Sequence, residues 1–236
     1  MASDRTRREV LGGGAALIVG LGWAARAGAT PRKAAVAQDH EAEEDVTPAE
    51  DLMREHGVLN RLLLVYEEAE RRLRGEAEID RAVVGDAARI IRRFVEDYHE
   101  RLEEEHLFPR FEKARRLMEL VDMLRAQHQA GRRLTDRILQ LAKQPAGAQG
   151  REGLAECLRL FVRMYRPHEA REDTVLFPAF RKLLPGDEYR RLGDAFERRE
   201  HSLFGEEGFE KTVASVAGLE KALGIHDLRL VTPPAR

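Results

Sequence analysis

Two short phrases in this chain carry the residue types of a metal-binding arm. His99-Glu100-Arg101-Leu102-Glu103 runs on to Leu107-Phe108-Pro109, and His168-Glu169-Ala170-Arg171-Glu172 runs on to Leu176-Phe177-Pro178 in the same register. In each phrase a histidine precedes a glutamate by four residues, which on a helix stacks the imidazole and the carboxylate on one face. Each phrase is therefore a two-donor arm. The chain has a single cysteine, Cys157, so thiolate clusters, CxxC pairs and intramolecular disulfides are excluded, and any metal site must use imidazole and carboxylate.

The elements that must position these arms are helices. Thr47-Pro48-Ala49-Glu50 has a capping threonine, a proline at the first helical position and a glutamate three residues after the cap. The helix it starts runs to about Arg74, with Gly75 as its stop and Leu52, His56, Leu59, Leu63 and Tyr66 as its inward stripe. A second helix from about Asp80 aligns Ala87, Ile91, Val95, His99, Glu103 and His106, and Pro109 is expected to kink or end it. A third, from about Arg116 to Ala142, aligns Leu117, Val121, Leu124, His128, Thr135 and Leu139. After a loop over 144–150, a fourth from about Glu152 to Phe177 aligns Leu154, Leu158, Phe161, Tyr165, His168, Glu172 and Val175, with Pro167 interrupting its ladder. A helix from about Asp187 to Phe204, a break over 205–208 and a short helix to Leu223 complete the pattern.

No alternating strand pattern accompanies these segments, so the expected fold is all-α: an antiparallel up-down four-helix bundle with extra C-terminal helices. The sequence reads as two copies of a helical hairpin. His56 and His128 correspond, and the two arms lie about 70 residues apart. Closing the hairpins on each other brings His56, His128, His99 with Glu103 and His168 with Glu172 to one level. Two carboxylates among leucines cost several kcal/mol each when charged and unpaired, which calls for a cation between them. A pair of metal ions bridged by Glu103 and Glu172, with histidines completing each sphere, satisfies every group. Such a donor set suits iron, and less specifically zinc, copper or manganese.

The same residues carry a family resemblance. His56, His99-Glu100 with Glu103 and Leu107-Phe108-Pro109, His128, and His168 with Glu172 and Leu176-Phe177-Pro178 resemble the hemerythrin family in its bacterial HHE cation-binding branch, over roughly 48–182. The resemblance implies a four-helix bundle around two non-haem iron ions, oxo- or hydroxo-bridged, with an open position for dioxygen. It carries the ligand role onto His56, His99, Glu103, His128, His168 and Glu172. Two departures stand out. Oxygen carriers of the family have a second histidine one turn from the one on the third helix, where this chain has Leu124 and Arg132. They also place an aspartate five residues after the fourth-helix histidine, which here is Asp173 beside Glu172, so the bridge is Glu172 or Asp173. Glu100, His106 and His201 are the further candidates to fill the gap. Tyr98 and Tyr165 flank the ligands as core aromatics, and Cys157 reads as a small hydrophobe.

The remaining properties bound the function. A formal net charge of −2 over 236 residues speaks against a nucleic-acid partner. Residues 1–29 read as a twin-arginine-type signal peptide, with Thr6-Arg7-Arg8-Glu9-Val10-Leu11 before an uncharged run and Ala27-Gly28-Ala29 as cleavage site. Residues 30–46 read as a flexible acidic linker, 47–184 as the bundle and 185–236 as a C-terminal helical extension and tail. The expectation is an exported protein, periplasmic or extracellular, or membrane-anchored if the signal is retained. As a monomer or homodimer it would bind dioxygen or another diatomic such as nitric oxide. The alternatives are a di-iron peroxidase, catalase or oxidase, and iron storage or handling.

Overall fold

In a computed structural model, residues 46–75, 77–144, 147–230 and 232–234 are described. The expected signal peptide and nearly all of the expected linker lie outside these residues. The described chain is helical, with no strand among the described residues: α1 (Pro48–Arg74), α2 (Arg81–Ile90), α3 (Glu100–Leu102), α4 (Phe108–Ala114), α5 (Met118–Ala142), α6 (Ala148–Arg171), α7 (Phe177–Arg181), α8 (Gly186–Phe204) and α9 (Gly208–Leu223). Three π-helical stretches, Ile91–His99, Glu103–Leu107 and Glu172–Leu176, join α2 to α3, α3 to α4 and α6 to α7 without a break.

The start of α1 uses the chemistry written at 47–50. The Glu50 amide donates to the Thr47 hydroxyl oxygen, and the Thr47 amide donates to the Glu50 carboxylate at 3.0 Å. Inside the bundle α1 packs along α6, α6 along α5, α5 along α2, and α2 against α1. Leu52, Leu59, Leu63, Tyr66, Val95, Tyr98, Leu124, Leu158, Phe161 and Tyr165 are buried between them. α8 and α9 lie against α1, where Tyr189, Phe196, Val216 and Leu223 are buried. Arg61 of α1 donates to both carboxylate oxygens of Glu220 on α9, at 2.8 and 2.6 Å.

The π-helical turns account for the expectations that do not hold. Of the two outcomes expected at Pro109, a kink or an end, the end does not occur: the helix continues to Ala114 beyond a widened turn. A proline ring collides with the carbonyl four residues back in an α-helix. Here the turn ahead of it widens, and the Phe108 amide donates to the Glu103 carbonyl. Phe177, ahead of Pro178, donates to the Glu172 carbonyl in the same way. Each widened turn also shifts the inward phase. Leu107 and Leu176 are buried, whereas His106 is only half-buried and Val175 is exposed. The third and fourth helices start at Met118 and Ala148, and Leu117, in left-handed backbone, caps the former. Pro167 sits exposed within an α6 that runs on past it to Arg171.

Candidate metal centre

His56 of α1, His99 in the second rod, His128 of α5 and His168 of α6 are all buried and turn their Nε2 atoms toward two carboxylates, Glu103 and Glu172, which are fully buried. His168 Nε2 stands 3.1 Å from Glu172 Oε1, and His56 Nε2 stands 3.3 Å from Glu172 Oε2. His128 Nε2 is 3.4 Å from Glu103 Oε2 and 4.0 Å from Glu172 Oε1, and His99 Nε2 is 3.9 Å from Glu103 Oε2. Two donor groups result, Glu103, His128, His168 and Glu172 on one side and His56, His99 and Glu172 on the other, and Glu172 belongs to both. Phe177 stacks on His56 and Phe108 on His128, with ring centroids 5.4 and 5.5 Å apart, so the Leu-Phe-Pro phrase after each arm closes the centre.

The other nitrogen of each imidazole points outward and meets an acceptor. His56 Nδ1–H donates to Asp173 at 2.7 Å, His99 Nδ1–H to Glu55 at 2.6 Å, His128 Nδ1–H to Glu104 at 3.1 Å and His168 Nδ1–H to the Gln127 side-chain oxygen at 3.0 Å. Each acceptor has only lone pairs to offer, so the proton sits on Nδ1 and the inward Nε2 of a neutral ring is a bare donor atom. The arrangement has a two-fold logic. Glu104 and Asp173, each following the inner carboxylate of one half, hold the single histidine of the other half. Glu55 and Gln127, each preceding a single histidine, hold the arm histidine of their own half. Position four beyond each single histidine, Asn60 or Arg132, meets the glutamate after the opposite arm histidine: Asn60 donates to Glu169 at 2.5 Å, and Arg132 stands 2.8 Å from Glu100.

Whether these residues fit a cation is answered by their unmet valences. Both oxygens of Glu103, both oxygens of Glu172 and His128 Nε2 are buried without a hydrogen-bond partner. Lone pairs of four imidazoles and two carboxylates converge on one buried space, an arrangement that is repulsive unless positive charge lies among them. A metal cation meets that need with the nitrogen and oxygen donors present. In the metal-free chain protons take its part. Burial, and then the charge of Glu172, hold Glu103 well above the usual carboxylate range. Against burial, His168 and His56 hold Glu172 well below it. Burial opposes protonation of His56, but its hydrogen bond to Asp173 and the negative charge of Glu172 beside its Nε2 raise it to about 10. Burial drives His99 well down, and lowers His128 to about 4 against the pull of Glu104.

The outlying candidates separate cleanly. Asp173 is on the outer side of His56, and Glu172 occupies the middle. Glu100 is buried but engaged: the Tyr165 hydroxyl donates to it at 2.6 Å, and Arg132 ion-pairs with both Glu100 and Glu104 at 2.8 Å. His106 packs against the Phe196 ring, and His201 is exposed; neither belongs to a donor group of the centre. Reading the sequence by helical stripes missed Glu55, Glu104, Gln127 and Glu169. Their signal was present as neighbours in sequence of the ligand candidates, Glu55-His56, Glu103-Glu104, Gln127-His128 and His168-Glu169. A residue next to a stripe position lies about 100° round the helix, where it reaches a neighbouring helix rather than the axis.

Comparison with known proteins agrees with this geometry. Residues 47–180 match the family model described as the Hemerythrin HHE cation binding domain. Uncharacterized proteins of Mycobacterium bovis and of two strains of Mycobacterium tuberculosis are each 48% identical to the chain over 195 residues, which is 82% of this chain and 76% of theirs. No solved structure matches the chain.

Proposed function

Because the chain belongs to the hemerythrin HHE cation-binding family, we propose that its buried centre holds two iron ions and binds a small diatomic, dioxygen or nitric oxide. The single observation that carries the reading is the set of unpartnered lone pairs on Glu103, Glu172 and His128 at the meeting point of four outward-anchored histidines. His56 and His99 would hold one ion and His128 and His168, with Glu103, the other, and Glu172 belongs to both donor groups. Iron in this setting supplies reversible coordination of a diatomic and one-electron redox chemistry. The chain's own part is to orient and to exclude. Asp173, Glu55, Glu104 and Gln127 hold the imidazoles in one tautomer and one direction. Phe108 and Phe177 cover the faces of His128 and His56, and Arg132, one turn beyond His128, is engaged with Glu100, which also accepts from the Tyr165 hydroxyl.

The same reading takes the four ligand-bearing rods as an antiparallel up-down-up-down bundle, with α8 and α9 as additions to it. It takes residues 1–29 as a twin-arginine signal, which would carry the folded, metal-loaded protein out of the cytoplasm. N-terminal sequencing of the protein recovered from its own cell envelope and medium tests export: a start near residue 30 supports it, and a full-length cytoplasmic chain opposes it.

Iron analysis and rapid spectroscopy test the centre. Purified from iron-replete cells, the chain should carry about two metals, and fewer than about one would sink the two-ion reading. Adding dioxygen or nitric oxide to the ferrous protein should give a visible band that disappears on evacuation. Sustained peroxide consumption, abolished by Glu103→Ala, would instead place the protein among the peroxidases.

A further inference from the structure

A cavity of about 590 Å³ lies apart from the histidine centre. α2 and the π-helical stretch after it form one wall, and the end of α8 with α9 forms the other. None of the metal-ligand candidates, and none of their Nδ1 partners, lines it. Its size falls within the roughly 300–1,000 Å³ of small-molecule sites.

The lining divides by chemistry. Ile90, Phe94, Phe204 and Leu219 supply apolar surface, and around them stand three cations, Arg89, Arg93 and Lys211, with a single carboxylate, Asp86. Arg89 is held by Asp86, and Lys211 stands 3.4 Å from Glu207. Arg93, without an ion-pair partner among the described residues, donates to the Leu203 carbonyl at 3.0 Å and lies over the Phe204 ring, 5.1 Å from its centroid. These contacts hold an uncancelled charge at the edge of an apolar hollow. The Thr212 and Ser215 hydroxyls already donate to the Gly208 and Lys211 carbonyls, at 2.9 and 2.8 Å, so the donors left for a ligand are cationic.

Gly218 adds an independent observation. It stands inside α9 on the cavity lining, where glycine weakens a helix relative to alanine. A methyl group there would meet no atom within 4 Å, so the packing of the chain itself does not call for glycine. What the bare backbone preserves is the open space of the cavity.

We propose that this cavity binds a small amphipathic monoanion, an apolar body carrying one carboxylate, of the kind a medium-chain fatty acid presents. The hydrocarbon lies on Ile90, Phe94, Phe204 and Leu219, and the carboxylate meets Arg93, whose fork of donors matches two oxygens. One uncancelled cation calls for one negative charge, which favours a carboxylate over a phosphate. The site does not depend on what the histidine centre holds.

Isothermal titration of the full chain with decanoate, below its micelle concentration, tests the site, with decanol and decyl phosphate as comparison probes. Decanoate should bind at about one per chain, more tightly than either comparison probe. Arg93→Gln should weaken decanoate at least about tenfold and leave decanol unchanged. Gly218→Leu, which puts a side chain into free space, should keep the circular dichroism spectrum and weaken both decanoate and decanol at least about tenfold. Arg93 is exposed, so its variant reports even if the leucine variant folds poorly. Decanoate affinity unchanged in either folded variant overturns the site, and covers capture of the carboxylate by the metal centre. Tighter binding of decyl phosphate overturns the carboxylate, equal binding of decanol overturns the anion, and no saturable binding overturns the whole proposal.

Discussion

The Nδ1 partners divide the four histidines three to one. His56, His99 and His128 donate to carboxylates, whereas His168 donates to the neutral amide of Gln127. A carboxylate partner makes the imidazole a stronger donor, so the two halves of the centre differ in electron richness despite their shared plan. Asp173→Ala removes the acceptor of His56 while leaving every inner donor in place. It should weaken metal binding about 10–100-fold, read by competition with a chromophoric chelator. Gly131 is set by a different constraint. A methyl group there would meet the Tyr165 hydroxyl and stand 2.8 and 2.9 Å from two of its ring carbons. Gly131→Ala should therefore displace the tyrosine from Glu100 and cost about 1–3 kcal/mol in denaturant unfolding.

At the scale of the elements, the wide turns that begin at Glu103 and Glu172 do two jobs. They admit Pro109 and Pro178 without ending the rods, and they turn Leu107 and Leu176 inward beneath the carboxylates. The entry to α1 is held by its reciprocal cap, so Thr47→Ala should lower stability by about 1 kcal/mol with metal content unaffected. The acidic face of α1 behaves in the opposite sense. Burial, and then the charge of Glu55, raise Asp51 to about 7. The folded chain therefore keeps a proton that the unfolded chain has already lost, and between about pH 4 and 7 this contribution falls as pH rises. Asp51→Asn should stabilise the metal-free protein at pH 8 by about 1–2 kcal/mol and change little at pH 4. Thermal melts at the two pH values read the difference.

For the molecule as a whole, the centre is a concentration of buried charge that only a bound cation or trapped protons make tolerable, so folding and metal binding are linked. Free metal at about a hundred times its dissociation constant adds about 2.7 kcal/mol, which for a domain of this size is a rise of roughly 5–10 °C in melting temperature. Calorimetry before and after chelation should show that difference, and no shift would mean that the centre does not hold metal in solution. α8 and α9 add the Arg61–Glu220 clamp and bring Glu200 close to Asp51 and Glu55 of α1. Among the described residues no helix is long and apolar enough to cross a membrane.

Helical character, the caps and the repeated arms were legible in the sequence because each depends on residues within one or two turns of one another. Capping at Thr47, stripe burial at Leu52 and Tyr66, and the stacking of His168 over Glu172 are all local consequences of a 3.6-residue period. The inward phase beyond Glu103 and Glu172 was not legible, because a π-helical turn changes the period on which a stripe is read, so His106 and Val175 were expected inside and lie elsewhere. The repeated spacing favoured Glu172 as the inward carboxylate, and the tertiary structure separated it from Asp173. Glu172 and Asp173 are chemically alike and adjacent, and only the approach of α1 separates them, by placing the Nδ1 of His56 against Asp173 and its Nε2 against Glu172. The same holds for Glu100, whose partners Tyr165 and Arg132 come from two other helices, and for the meeting of Asp51, Glu55 and Glu200 from two. Contacts of this kind depend on how rods are set against one another, which spacing along a single chain does not encode.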